Sequence, residues 1–303
     1  MVEYGLSKHA LAYMDILGYS EMVRDPHNLD DFFNRVKGFV RESSALARCL
    51  TCHSGLRIRI FSDNIVMSIQ LNDNDVNASD AIDDLILISS YIQGYLLSEL
   101  RLLCRGSIVV GQFYIDDEMV FGPALVEAYE LESRIAIYPR IVLSEDACRC
   151  LKQHEQDCPF PELADGKRII HDAGVMYIDL FEVIHRYVDD CHHYDIHSES
   201  GNYEDYYEML RAKILGVGKG LMSVVNDMFS VGRSLDVVRK YIWLIERYNT
   251  TVLKDRADEY SIDYNIEREG PKYRLHVFND NLECTPLNFD MEFYEPPYYD
   301  DRD

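Results

Sequence analysis

Basic residues are scarce in this chain: 30 lysines and arginines stand against 53 aspartates and glutamates, a net charge of −23. A long nucleic acid needs a basic face to displace its counterions, so that class of partner is excluded. A single nucleotide is not, because its phosphates need only a metal ion and a few local cations. Long apolar runs are missing too. No stretch approaches the roughly 20 residues that span a bilayer, and Lys8 and His9 lead straight into the first apolar run without a secretion-signal pattern. The expectation is a cytoplasmic protein without a membrane partner. Paired zinc spacing is also lacking. Cys148-x-Cys150-x₃-His154-x₃-Cys158 has an unusual spacing and Cys49-x₂-Cys52-His53 has no second pair, so the eight cysteines read as reduced thiols. Gly216-Val217-Gly218-Lys219-Gly220 lacks the Walker spacing and follows no strand, which leaves a glycine cluster in a helical region.

What is present is a strong order of elements. His9 to Ile16 is an apolar run of strand length, and Leu29 to Leu46 carries Phe32, Val36, Phe39 and Val40 at helical spacing. Leu56 to Phe61 alternates Arg57 and Arg59 with Ile58 and Ile60, turns at Ser62-Asp63-Asn64, and returns as Ile65 to Leu71. Ser79 offers an N-cap to a long helix with a stripe of Ile82, Leu85, Ile86, Ile92 and Leu96. Arg105 to Phe113 and Met119 to Phe121 are further strands, and Gly122-Pro123 opens another helix. The order βαββαβ predicts an α+β, ferredoxin-like domain over residues 1–145, an antiparallel sheet with helices on one face. Residues 146–303 read as a mainly helical extension with one or more added strands, near Val175 to Val183 and Tyr260 to Phe278, and an acidic tail.

Two aspartates stand out. Asp15 ends the first strand before Leu17-Gly18-Tyr19-Ser20, and Asp63 sits near the tip of the hairpin. The topology sets the first strand beside that hairpin, so both carboxylates can face one another. A carboxylate held at a strand end suits Mg²⁺ bridged to a polyphosphate.

Four blocks carry a resemblance: Met14-Asp15-Ile16-Leu17-Gly18-Tyr19-Ser20, Phe61-Ser62-Asp63-Asn64-Ile65-Val66, Arg105-Gly106-Ser107-Ile108-Val109-Val110-Gly111 and Val120-Phe121-Gly122-Pro123-Ala124-Leu125. In order and spacing they resemble the landmarks of class III nucleotidyl cyclases. The continuation Val126-Glu127-Ala128-Tyr129-Glu130-Leu131-Glu132 and Tyr138-Pro139-Arg140-Ile141 is similar to the bacterial pyrimidine cyclases of the Pycsar antiphage system. The resemblance implies attack of the ribose 3′-oxygen on the α-phosphorus with release of pyrophosphate. It implies two Mg²⁺ or Mn²⁺ ions per site, held by Asp15, Asp63 and the carbonyl of Ile16, with backbone N–H groups of Leu17, Gly18, Tyr19 and Ser20 at the phosphates. It also implies a head-to-tail homodimer with composite sites, and a cyclic product that acts on a separate effector in antiphage defence.

The departures from that pattern point to the base. Adenylate cyclases read adenine with a lysine and an aspartate; the matching positions here are Arg59 and Met119. Methionine cannot accept from an exocyclic amine, whereas guanidinium donors from Arg57, Arg59 and Arg105 suit the carbonyl oxygens of a pyrimidine. UTP is the expected substrate, with CTP as the alternative. The positions that carry an Asn and an Arg in the family hold Val126 and Glu130, so Arg134, one turn on, is the candidate for the transition-state charge. The rival reading for Arg134 is an ion pair with Glu130. The rival for the whole chain is a cyclase-like module that binds nucleotides without turnover.

Overall fold

The computed structural model describes residues 5–24, 29–30, 33–39, 41, 55–71, 78–100, 102–157, 169–181, 218–226, 228–230 and 232–278. Its elements are β1 (Ser7–Leu17), α1 (Tyr19–Arg24), β2 (Arg57–Phe61), β3 (Asn64–Gln70), α2 (Ala78–Tyr95), β4 (Leu103–Ile115), β5 (Val120–Phe121), α3 (Pro123–Arg134), β6 (Ile141–Leu143), α4 (Glu145–Asp157), β7 (Ile169–Asp172), β8 (Val175–Ile178), α5 (Leu235–Tyr260), β9 (Asp263–Glu269) and β10 (Lys272–Phe278). The readings of residues 187–217 and of the acidic tail fall outside the described residues.

The sheet runs β2-β3-β1-β4-β6-β8-β7, with β5 paired to β4, and β9 and β10 form a separate hairpin. Its first four strands are mutually antiparallel. That is the ferredoxin-like order expected from the sequence. β6 then adds parallel to β4, and β8 and β7 continue antiparallel, so residues on both sides of position 145 share one sheet.

β1 is an interior strand buried on both faces, which is why its sequence is a nearly unbroken apolar run. Ala10, Ala12, Met14 and Ile16 pack toward α2 with Ile65, Met67, Ile69 and Ile108. Leu11 and Tyr13 pack on the opposite face with Val66, Val109, Phe113 and the α3 residues Ala124 and Ala128. α2 is therefore on one face, as anticipated, whereas α3 covers the other. α3 starts directly after β5, with Gly122 at φ 143° and Pro123 in the first helical turn.

Smaller differences have local causes. α2 already starts at Ala78, so Ser79 lies inside its first turn rather than capping it. After Tyr95 the chain makes a π-helical turn, Leu96–Leu100. β7 was not anticipated because it is only four residues long. Its turn, Ala173-Gly174, has both residues at positive φ (49° and 79°), the geometry of a tight hairpin.

The C-terminal part packs on one end of the sheet. Val238, Tyr241, Leu244, Ile245 and Tyr248 of α5 form a core with Leu97, Leu103, Leu180 and Phe181, and Leu17 packs against it. Leu17 and Leu103 are register partners at the ends of β1 and β4, so α5 lies beside the end of the sheet that carries Asp15.

Candidate active site

Asp15 projects from β1 onto the α3 face, two positions after Tyr13. Across the sheet it is in register with Asn64 of β3 and Arg105 of β4. The tight turn Ser62-Asp63, with Ser62 at φ 56°, joins β2 to β3 and brings Asp63 level with Ile16. The Ile16 N–H donates to the Asp63 carbonyl at 2.8 Å. In an antiparallel strand a residue's N–H and C=O point the same way, so the Ile16 carbonyl also faces the Asp63 turn. Asn64 orients the second carboxylate, donating from Nδ2 to Asp63 Oδ1 at 2.9 Å while accepting from the Tyr13 hydroxyl. The topology read from the sequence let Asp15 and Asp63 face one another and the resemblance implied the Ile16 carbonyl; the structure brings the three together through the main chain.

Close approach of β1 and β4 needs Gly106. A Cβ there would come 2.4 Å from the Tyr13 carbonyl oxygen, so only glycine fits between Arg105 and Ser107.

Three further groups gather at Asp15. Arg105 Nε donates to Asp15 Oδ2 at 3.4 Å and forms an ion pair with Glu132 Oε1 at 2.5 Å. The Glu132 side chain is 2 % exposed, and it completes the buried stripe Ala124, Ala128, Glu132 along α3. Lys240 of α5 is half-buried and within electrostatic reach of Asp15, Glu132 and Arg105. Burial raises the Asp15 pKa, Arg105 opposes that rise, and Asp63 adds to it. Burial pushes Glu132 up to about 7, again opposed by Arg105 and reinforced by Asp15. Lys240 is lowered, first by burial and then by Arg105, with the carboxylates pulling the other way. The Tyr13 phenol is raised by burial and by the same three carboxylates. Glu132 and Lys240 were not singled out in the sequence. The signals were there in the spacing: a glutamate ending a small-residue stripe, and a lysine one turn before the only tryptophan.

Two cations thus face three carboxylates, a deficit that a divalent cation relieves. Among the described residues no cluster of three or more His, Cys, Asp or Glu side chains is placed to hold a metal. An ion at Asp15 and Asp63 would have two carboxylates and would complete its shell from carbonyl, water and phosphate oxygens. Such an all-oxygen set fits Mg²⁺ or Mn²⁺.

The expected base-reading residues divide. Arg57 Nη1 donates to the Ile115 carbonyl at 2.6 Å. Arg59 donates to the Asp116 carbonyl from Nε and Nη2, at 2.9 and 2.7 Å, and pairs with Asp117. Met119 lies in the same β4–β5 turn, half exposed, its N–H donating to Asp116 Oδ1 at 2.8 Å. Arg57, Arg59 and Met119 therefore share one corner. By register Arg59 is two residues and two strands from Asp15, on the order of 12 Å. Arg105 is not with them, because β4 register sets it against Asp15.

Arg134 makes the contact of its rival reading. It pairs with Glu130 at 3.5 Å and is 73 % exposed. Two residues along a helix turn the side chain by about 200°, so it lies on the far side of α3 from Glu132. In the turn after β1, Leu17 packs against the C-terminal core, Gly18 takes φ 83°, and Tyr19 and Ser20 form the first turn of α1.

No family profile matches the chain, and no curated protein matches it. Among solved structures, the adenylyl cyclase CyaB from P. aeruginosa is 16% identical with a TM-score of 0.40, covering 57% of this chain and 94% of that one. The monomeric guanylyl cyclase domain of the RhoGC fusion protein from Blastocladiella emersonii is 12% identical with a TM-score of 0.41, covering 57% and 95%. A class III adenylyl cyclase-like ATP-binding protein from Pseudomonas aeruginosa is 11% identical with a TM-score of 0.32, covering 91% and 80%. The three TM-scores lie below 0.5, and the roles considered for Asp15 and Asp63 rest on their own geometry.

Proposed function

We propose that the chain is a pyrimidine nucleotide cyclase that converts UTP, with CTP as the alternative, to the 3′,5′-cyclic mononucleotide and pyrophosphate. The observation that carries this reading is the main-chain tie from Ile16 to Asp63, which holds two carboxylates and a carbonyl at one end of the sheet. Asp15, Asp63 and the Ile16 carbonyl would hold Mg²⁺ or Mn²⁺, which supplies activation of the 3′-oxygen and neutralisation of the triphosphate. Arg105 fixes the Asp15 carboxylate and balances Glu132. With little covalent chemistry left to side chains, the protein positions the ribose against the phosphorus and supplies charge.

In this reading the base is recognised by Arg57 and Arg59 beside Met119. At about 12 Å from Asp15 that corner serves a site completed by a second copy in a head-to-tail homodimer. The exposed apolar residues Phe121, Val126, Tyr129 and Ile137 supply surface for such a contact. The cyclic product would be a second messenger in antiphage defence, read by a separate effector, as the resemblance of the Val126–Glu132 and Tyr138–Ile141 stretches implies.

The test is to incubate the purified protein with each of ATP, GTP, CTP and UTP plus Mn²⁺ and to look for pyrophosphate and a cyclic product. UTP should turn over, and Asp63→Ala should abolish the product. Mixing Asp63→Ala with Arg59→Met, each inactive alone, should restore about a quarter of wild-type activity, because a mixed dimer keeps one intact composite site. No product from any nucleotide would overturn the enzyme and leave a nucleotide sensor. The exposed Glu130–Arg134 pair, where the family places its transition-state arginine, is what favours that alternative.

A further inference from the structure

The cyclisation proposed above leaves a question of charge. Pyrophosphate departs with an added negative charge, and some cation must meet it. Arg105 is committed to Asp15 and Glu132. Arg134 lies on the far side of α3 from Glu132 of its own chain and pairs with Glu130. Arg57 and Arg59 are held at the β4–β5 turn. Arg140 is buried with its guanidinium over Tyr138 and Tyr177.

Lys240 remains. Asp236, Lys240, Trp243 and Arg247 follow one another at helical spacing and form a single stripe along α5. The lower part of that stripe is anchored on the sheet. Trp243 stacks on Tyr138 at 5.3 Å, with its plane tilted by only 12°, and touches Tyr177. Arg247 pairs with the buried Asp179 just after β8. Val238, on the flank, is buried in the core that Leu103 shares. These contacts fix the rotation of α5 and aim Lys240 at the Asp15 end of β1 and β4. There it interacts electrostatically with Arg105, Asp15, Asp236 one turn earlier on α5 and Glu132, and no hydrogen bond or ion pair among the described residues engages its ammonium. A half-buried ammonium beside a carboxylate cluster, with donors unspent, can turn to a polyphosphate when one arrives.

We propose that Lys240 is the phosphate-binding cation of this site, an ammonium delivered by the same chain's C-terminal helix to the pyrophosphate end of the nucleotide. The inference rests on the cyclase reading. In the step it serves, the 3′-oxygen forms a bond to the α-phosphorus and the bond to the α,β-bridging oxygen breaks. The bridging oxygen keeps the electron pair and leaves as pyrophosphate, and the 3′-hydroxyl proton passes to water. Lys240 keeps its proton throughout and offsets the charge gathering on the leaving group.

The experiment is calorimetric titration of inorganic pyrophosphate with Mg²⁺, and separately of UMP, into wild type, Lys240→Gln, Lys240→Arg and Arg239→Gln. Arg239 is the exposed neighbour, so its variant removes the same charge from outside the site. A charge-assisted contact to phosphate is worth about 1.5–3 kcal/mol, so Lys240→Gln should weaken pyrophosphate about 10- to 100-fold. UMP binding should stay within about twofold by the same reckoning, Lys240→Arg should recover most of the loss, and Arg239→Gln should change nothing. Turnover should show the loss in kcat as well as KM. Equal pyrophosphate affinity in wild type and Lys240→Gln overturns the assignment and leaves the cyclase standing, as does an equal loss for UMP and pyrophosphate, which would mark a structural role. Wild type that binds no pyrophosphate and cyclises no nucleotide overturns both.

Discussion

Replacing Glu132 by glutamine should stabilise this protein at alkaline pH, although it removes half of a buried ion pair. Burial raises the Glu132 carboxyl from 4.5 to about 7 despite the Arg105 guanidinium at 2.5 Å. The fold therefore favours the protonated acid. A native pKa above the unfolded one gives stability that is complete below pH 4.5 and is lost as pH rises through 7. That rise corresponds to about 3 kcal/mol once Glu132 is ionised. Glutamine has the shape of the neutral acid and never incurs the cost. Wild type and Glu132→Gln should thus melt together near pH 5 and separate at pH 8, with the variant higher by about 5–10 °C. The assay is thermal unfolding followed by circular dichroism at the two pH values without added metal. Arg105→Met should do the reverse, losing about 3 kcal/mol or more at pH 8, where two carboxylates lose their cation, and less at pH 5. A Glu132→Gln variant that melts below wild type at pH 8, or shifts equally at both pH values, would refute the reasoning.

Two further outcomes concern the frame around the site. Gly106→Ala would push a Cβ to 2.4 Å from the Tyr13 carbonyl, so urea unfolding should show a loss of about 2–3 kcal/mol with the β1–β4 register strained. His9 is buried beside Phe113 with Nε2 at 2.9 Å from Ser7 Oγ, and burial, then Arg57, lowers it to about 4. Its contribution is complete above pH 6.5 and is lost as pH falls toward 4, so the stability advantage of His9→Gln at pH 4.5 over pH 7 should be about 2 kcal/mol in urea titrations.

Much of this arrangement was legible in the sequence because it is local. The alternation of Arg57 and Arg59 with Ile58 and Ile60 announced a half-buried strand, and the polar break at Ser62-Asp63 announced its turn. Once the order βαββαβ set β1 beside that hairpin, Asp15 and Asp63 had to be neighbours. What escaped was set by long-range packing. Arg105 was grouped with Arg57 and Arg59 because nothing local reveals which strand it will face, and the register sets it against Asp15 instead. Glu132 sat among other glutamates on α3, and only burial against β1 and β4 distinguishes it from the exposed Glu130. Lys240 follows Asp15 by more than two hundred residues, and only the docking of α5 brings it back. The second face of the sheet was missed for a similar reason, since the packing of Ala124 and Ala128 against Leu11, Tyr13 and Val109 is a long-range contact.

The hydrogen bond from Ile16 to Asp63 carries a consequence for how such a site can change over time. A spacing set by side-chain packing drifts with each neighbouring substitution. Here the gap between the two acidic positions is measured by a peptide N–H and a peptide carbonyl, groups that every replacement except proline retains at position 16 and that no replacement removes at position 63. The side chains around it, and the distant corner at Arg59 and Met119, are free to be rewritten while the two carboxylates keep their distance. The ruler is the backbone, so the surroundings of positions 16 and 63 can diverge while the gap between them stays the same.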